Sequence, residues 1–437
     1  MEKIEPKILP GFMELLPADQ VLFNQIKDTI RETYEKFGFI PLDTPIIEYS
    51  EVLLAKAGGE TEKQIYRFTK GENDISLRFD LTVPLSRYVA QNYFSLSFPF
   101  RRYQIGKSFR GEKPQKGRYR EFYQCDIDII GDGELSIMND AEIPSIIYTV
   151  FKKLGFENFT IRMNNRKILG GFFSYLGYSE NITDILRIID KLEKIGESGV
   201  RAELKSISVN DEAIDKIIEF VTITGSCKEV IESLKALGID NETFETGVNE
   251  LDAVTTAVKD FGLPEKNYKI DLTIARGLDY YTGTVYETVL NDYPKIGSVC
   301  SGGRYDNLAE YYTNKKLPGV GVSIGLTRLF YQLREAGIIV PKQSSLAKVM
   351  IIPMTEDLSH SIKLASNLRE RGINTEVYYN QKSIKGKFNY ANKLSIPYVV
   401  VIGDDEIANN KYTVKNMEKG EQVTVDIDEL YKILKGE

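Results

Sequence analysis

The stretch Arg101–Asp128, RRYQIGKSFRGEKPQKGRYREFYQCDID, concentrates residue types that can do chemistry on an anion. Between Arg101 and Arg120 it carries eight Lys or Arg, at positions 101, 102, 107, 110, 113, 116, 118 and 120, against one acid, Glu112. The chain as a whole carries a net charge of −7, so this local excess marks an anion site. Period-two alternation puts Gln104, Ser108 and Arg110 on one face of a strand, and Phe122, Gln124, Asp126 and Asp128 on one face of a second. Pro114 and Gly117 make a loop of the residues between the two arms. A planar guanidinium such as that of Arg110 can hold an oxyanion bidentately. The same composition also fits a solvated hairpin whose charges blunt an edge strand.

Three further stretches carry candidate groups. In FDLTVPLSRYVAQN, Asp80 and Thr82 sit where a strand ends and a helix begins, with Thr82 the expected N-cap and Pro84 in the first turn. They are either a cap or a carboxylate and hydroxyl that receive a ligand ammonium. ARGLDYYTGTVYE, Ala275–Glu287, places Arg276 before a glycine and Tyr280 and Tyr281 at a turn that leads into a strand. A pair of tyrosines there also fits ordinary strand packing. GVGVSIGLTRL, Gly319–Leu329, reads as a strand, a glycine turn and a helix bearing Arg328. The single histidine, His360, lies in the helix DLSHSIKLASNL far from these motifs, which argues against imidazole catalysis by the protein. Cys125, Cys227 and Cys300 are odd in number and widely spaced, so neither a disulfide framework nor a zinc site is expected.

The elements that must hold these groups can be read in outline. Asp19 is the expected N-cap of a helix to about Phe37, ended by Gly38, and Pro41 and Pro45 then permit only an interrupted strand. Ile65–Thr69 and Ile75–Asp80 read as a strand pair. Residues of about 165–265 show helical apolar spacing and no catalytic pattern, and are expected to form an inserted helical module. Composition shifts to a linker over 336–347, after which strands and helices alternate through 348–437, as in a small α/β domain. Lys382, Lys385, Lys387 and Lys393 cluster around the second helix of that domain, as a solvated face or as contacts to a nucleic-acid backbone. With 437 residues, 42% hydrophobic and 27% charged, the chain has room for two or three domains. No apolar run reaches about 18 residues, and MEKIEPKILPG has no export pattern, so a cytoplasmic protein with no membrane span is expected.

The order FRGE, basic loop, GRYREF resembles motif 2 of the class II aminoacyl-tRNA synthetases, and GLTRL resembles their motif 3. RGLDYYTG resembles the histidine-specific motif of the histidyl-tRNA synthetases, and the chain is identified as a member of that family from Pro10 to its C-terminal helix. REFYQCDIDIIG and FDLT resemble the family's eukaryote-like branch, with Asp80 and Asp128 where many bacterial members have glutamate. The resemblance implies an α+β fold: an antiparallel-sheet catalytic domain over 1–335 with the helical insertion, and a C-terminal α/β anticodon-binding domain. It implies a homodimer that joins L-histidine to tRNA(His) through histidyl-adenylate, with ATP as substrate and Mg2+ accompanying it. Arg110 and Arg276 would flank the α-phosphate, and Glu112, Phe122 and Arg328 would hold adenosine. Asp80, Thr82 and Gln124 would take the histidine ammonium, Asp128 and Tyr281 would face its imidazole, and Tyr280 would line the pocket. Gln115 and Lys116, in the hairpin loop, would meet the acceptor end of the tRNA. Thr327 departs from the family, many of whose members have an acid before the motif 3 arginine.

Two other readings compete. A regulatory subunit of ATP phosphoribosyltransferase shares this catalytic fold without charging tRNA, but such subunits lack the C-terminal domain and tend to lose the motif arginines, both of which are present here. A general single-strand binder would interleave basic and aromatic residues along the chain instead of concentrating charge in one hairpin.

Overall fold

In the computed structural model, two ten-residue strands, Phe100–Phe109 and Glu121–Ile130, pair antiparallel from Phe100 opposite Ile130 to Phe109 opposite Glu121. The structure describes residues 3–55, 60–113, 117–189, 191–274, 281–307, 309–342 and 344–436, with side chains left aside at Glu60, Thr61 and Glu193. They divide into one unit of Met1–Met13 and Ile26–Ala336 and another of Glu14–Gln25 and Gly337–Glu437.

In the first unit the hairpin lies within an eight-stranded sheet. Its order is Ile40–Pro41, Phe100–Phe109, Glu121–Ile130, Gly319–Gly325, Ser298–Tyr305, Thr284–Leu290, Phe159–Asn165 and Tyr268–Ile270. The inner pairings are antiparallel and only the two edge pairings are parallel. Cys125, Ile127 and Ile129 are fully buried on one face of the second arm, and the intervening Gln124, Asp126 and Asp128 point to the other. Close approach between strands rests on glycine at two positions. A Cβ on Gly302 would lie 2.1 Å from the Gly321 carbonyl oxygen, and one on Gly321 would lie 2.3 Å from Asp128 Oδ1.

Behind the sheet, Tyr34 in the helix Pro17–Lys36 donates to the Cys125 carbonyl at 3.0 Å. This helix begins two residues before the expected cap. Pro17 suits a first-turn position because its missing N–H has no helical partner to lose, and Asp19 falls within the first turn. Where the sequence suggests Ile65–Thr69 and Ile75–Asp80, the strands are Arg67–Lys70 and Asn73–Leu77, which form a three-stranded sheet with Ile47–Tyr49. Six helices, Arg166–Tyr175, Ile182–Ile189, Leu192–Ser206, Asp211–Val221, Cys227–Ala236 and Glu242–Asp260, occupy most of 166–260. Asn165, Asn210, Ser226 and Asn241 cap four of them by accepting from first-turn N–H groups.

The second unit contains a five-stranded sheet in the order Thr375–Val377, Val349–Pro353, Tyr398–Ile402, Tyr412–Asn416 and Gln422–Val425. The first three strands are parallel and the last two close as an antiparallel hairpin. Val349, Ile351, Leu368, Val400 and Leu430 belong to its core. His360 lies on the helix Ser359–Glu370 of this unit. Among the described residues, no helix is long and apolar enough to cross a membrane.

Candidate active site

A pocket of about 440 Å³ opens on the polar face of the large sheet. Nine residues singled out from the sequence line it: Asp80, Thr82, Arg110, Glu112, Phe122, Gln124, Asp128, Tyr281 and Arg328. Arg276 and Tyr280, and Gln115 and Lys116 in the hairpin loop, lie outside the described residues.

At one end, a strand end and a helix start present Asp80. Thr82 is the first residue of the helix Thr82–Gln91 and not its cap; Leu81 is the cap residue and makes no side-chain cap bond. Asp80 serves instead, because its carboxylate reaches the free first-turn amide: Oδ1 accepts from Val83 N at 3.1 Å. Oδ2 is buried with no hydrogen-bond partner among the described residues. Asp80 is therefore a cap and also a carboxylate with an unused oxygen. Burial raises its pKa to about 6, against the pull of the Val83 amide and Arg110.

The floor holds a carboxylate group that sequence reasoning only half resolved. Asp128 Oδ2 lies 2.6 Å from Nη2 of the fully buried Arg102, and Oδ1 accepts from Tyr305 Oη at 2.7 Å. Burial raises the Asp128 pKa, with Arg102 and Tyr305 opposing the shift. Asp126, only 3% exposed, also lines the pocket, and its Oδ1 has no hydrogen-bond partner among the described residues. Burial lifts its pKa to about 7, with Asp128 and Asp80 adding to the rise and Arg102 and Ser323 working against it. Arg102, Asp126, Tyr305 and Ser323 were not among the residues singled out for the site. The alternation of the second arm already displayed Asp126, whereas Tyr305 and Ser323 needed knowledge of which strands lie across the sheet.

At the other end, Arg110 donates to the Phe79 carbonyl through Nε at 3.0 Å and lays its guanidinium 5.2 Å from the centre of the Phe122 ring. Arg328, from the helix Leu326–Glu335, donates to the Ile296 carbonyl at 3.1 Å. Thr327 accepts from the Tyr123 amide at 2.8 Å, tying that helix to the second arm of the hairpin. A hydroxyl at the departing position is thus used structurally. Arg304, beside the pocket, forms a buried bidentate pair with Asp140 (3.0 and 2.6 Å), which braces the strand Ser298–Tyr305 against the helix Met138–Lys153. The arrangement provides cations and an aromatic face for a nucleotide at one end and buried carboxylates for a cationic ligand at the other.

The whole chain has known relatives. A sequence model described as histidyl-tRNA synthetase matches residues 11–329, and one described as anticodon-binding domain matches 348–437. The histidine–tRNA ligase of Clostridium tetani is 65% identical over 99% of this chain and 98% of its own length. That of Finegoldia magna is 50% identical over 99% of this chain and 100% of its own. The crystal structure of histidyl-tRNA synthetase from Nostoc sp. PCC 7120 superposes with a TM-score of 0.92 at 42% identity, covering 99% of this chain and 100% of that one. The fold is accordingly a class II synthetase catalytic sheet followed by an α/β anticodon-binding domain. On sequence and fold together, the chain belongs to the histidyl-tRNA synthetase family.

Proposed function

We propose that this pocket joins L-histidine to ATP and that its residues act by position and charge, with no covalent protein intermediate. Family membership makes the chain an ATP-dependent histidine–tRNA ligase and disposes of the regulatory-subunit reading. In the first half-reaction a histidine carboxylate oxygen attacks the α-phosphorus, pyrophosphate leaves, and histidyl-adenylate remains. The tRNA 3′-terminal hydroxyl then displaces AMP. Arg110 and Arg276 hold the α-phosphate as negative charge builds there, since a guanidinium already in place stabilises that charge without reorganisation. Glu112, Phe122 and Arg328 hold adenosine. Asp80, Thr82 and Gln124 receive the ammonium, Asp128 and Tyr281 face the imidazole, and Tyr280 lines the pocket. The observation that carries this reading is the pairing, within one pocket, of the Arg110–Phe122 stack with the buried Asp80 and Asp126, each of which has an oxygen without a hydrogen-bond partner among the described residues.

Magnesium enters with ATP. Its charge would offset that of the nucleotide phosphates to which it binds. Gln115 and Lys116 meet the tRNA acceptor end, and the proposed division is a catalytic part over 1–335 with its helical insertion at about 165–265, a linker over 336–347, and an anticodon reader over 348–437. A homodimer is supported by the exposed Ile40, Ile46, Ile47 and Tyr49 in the segment after the first helix. A cytoplasmic setting agrees with three free cysteines, two of them buried. Pyrophosphate exchange measured across the amino acids tests the reading. Exchange should depend on histidine alone and fall by about 10²–10³ in Arg110→Ala. Exchange driven by another amino acid, or an Arg110→Ala rate within about threefold of wild type against that expectation, refutes it.

A further inference from the structure

Past the last rung of the basic hairpin the chain leaves the sheet, and the residues there must be held by something other than strand pairing. Arg110 N donates to the Arg120 carbonyl at 2.9 Å, and the residues beyond that bond, Glu112 going out and Gly117, Arg118 and Tyr119 coming back, line the pocket. On the outgoing side Gly111 N donates to the Gln64 carbonyl at 2.7 Å. On the returning side Arg120 ties three segments together. Its amide donates to the Gly11 carbonyl at 2.7 Å, Nη1 donates to the Pro10 carbonyl at 3.3 Å, and Nε donates across the neck to the Glu112 carbonyl at 3.0 Å. Pro10 and Gly11 are the middle residues of a turn closed by Phe12 N on the Leu9 carbonyl at 3.1 Å, and Gly11 has the φ of +87° that the third residue of a type II turn requires. By composition Arg120 belongs with the cations of an anion site. By contact it joins backbones, a task that suits a planar fork whose donors point along different directions.

We propose that Arg120 is a positioning residue for the nucleotide, locking the neck of the hairpin to the Pro10–Gly11 turn and so holding Glu112 against the adenine. The proposal rests on the assignment of Glu112 to adenine. The Glu112 side chain is loosely held by itself: Oε2 lies 3.7 Å from Nη1 of Arg118, whose side chain is 51% exposed, and an exposed pair of that length orients a carboxylate poorly. Its direction therefore depends on the backbone that carries it, which Arg120 fixes. Tyr119, the residue before Arg120, packs edge-on against Tyr331 with ring centres 5.7 Å apart, so the same stretch is also fastened to the helix that bears Arg328. The N-terminal turn thus becomes part of the adenosine site without touching the ligand.

The test is histidine-dependent pyrophosphate exchange by the full chain with two nucleotides, ATP and purine riboside 5′-triphosphate, which lacks the 6-amino group that a carboxylate can accept from. Arg120→Ala should raise ATP KM about tenfold, as expected for disordering one charge-assisted hydrogen bond. The KM of the analogue, histidine KM and kcat should stay within about twofold, because the lost contact is to the 6-amino group and is made equally before and during reaction. Gly11→Ala strains the turn from its far side and should raise ATP KM in the same direction, with the double variant going no further than Arg120→Ala. Gly155→Ala imposes the same strain, at φ +88°, on the turn after the helix Met138–Lys153 and should lower Tm alone. An unchanged ATP KM in Arg120→Ala overturns the brace. So does an equal rise for ATP and the analogue, which would put Arg120 on the phosphates or in the general stability of the fold, and so does a Gly155→Ala effect on ATP KM equal to that of Gly11→Ala. Glu112→Ala separates the brace from the assignment beneath it. If Glu112→Ala removes the preference for ATP over the analogue and Arg120→Ala does not, the brace alone fails. If Glu112→Ala also preserves that preference, the adenine assignment fails and the brace with it.

Discussion

Asp126→Asn should make the protein more stable, and increasingly so as pH rises. The wild-type carboxylate is 3% exposed, and burial lifts its pKa from 3.8 to about 7 even with Arg102 and Ser323 favouring the ionised form. An acid whose folded pKa lies above its unfolded one binds protons more tightly when folded. Wild-type stability is therefore lost as pH climbs from about 4 to about 7, and the loss is complete above that window. Each pKa unit corresponds to 1.36 kcal/mol, so the two units between pH 5 and about pH 7 amount to roughly 3 kcal/mol. The neutral amide carries no such dependence, and its own desolvation is the same at every pH and cancels from the difference. Arg102 keeps Asp128 at 2.6 Å, so the guanidinium is not stranded. Scanning calorimetry of the full chain at pH 5, 6, 7 and 8 measures the effect on the transition that contains the catalytic sheet, since a two-unit chain need not melt in one step. The advantage of the variant should grow by roughly 3 kcal/mol from pH 5 to pH 8, or about 5–10 °C in Tm. Parallel curves for variant and wild type would refute the argument, because they would mean that Asp126 ionises as it does in the unfolded chain.

Gly321→Ala places a Cβ 2.3 Å from Asp128 Oδ1, so the carboxylate or a strand must move; stability should fall by about 1–3 kcal/mol and histidine KM should rise more than ATP KM. Thermal melting with exchange kinetics checks this, and wild-type values in both would show that the sheet has slack at this point. Gln115→Ala, in the loop outside the described residues, should slow tRNA charging and spare adenylate formation; equal losses in the two half-reactions would exclude a tRNA contact. In the second unit, Lys382, Lys385 and Lys393 are exposed, whereas Lys387 donates to the Pro353 carbonyl at 2.8 Å and is committed to the fold. Replacing the three exposed lysines by Ala should weaken tRNA binding and flatten its log–log salt slope by about 2–3, with histidine activation unchanged. A wild-type slope would leave them as a solvated helix face.

Period-two alternation was enough to bring Phe122, Gln124 and Asp128 to one surface, because a buried sheet face fixes register and a one-residue slip would invert every side chain. The same rule displayed Asp126, but a sequence cannot say how deep a carboxylate lies, and depth is what separates an ordinary surface acid from one titrating near neutrality. Arg102 shows the converse. Counted with the other basic residues it looks like surface charge, yet neighbouring strands bury it completely, and its partner Asp128 lies on the other arm. Tyr305 and Ser323 reach the site from strands far along the chain, so only the sheet order brings them to it. Local rules also misplaced a cap: Thr82 has the preferred residue type, but Asp80 has the longer reach and takes the Val83 amide.

The pocket floor explains why so costly an arrangement suits this ligand. Asp80, Asp126 and Asp128 are buried around Arg102, and burial raises the pKa of each acid. Arg102 favours the charged form of all three and Arg110 that of Asp80, yet burial outweighs them, so the empty pocket resists full ionisation. A ligand that brings an ammonium and an imidazole N–H supplies the missing donors and restores the charged forms, whereas a neutral or acidic side chain would leave buried oxygens unpaired at about 1–3 kcal/mol each. In the proposed reading, selectivity for histidine is thus drawn from a cost already present in the folded protein. The tightly braced surroundings, with Arg304 locked to Asp140 and strands in contact at Gly302 and Gly321, keep that cost from being relieved by relaxation.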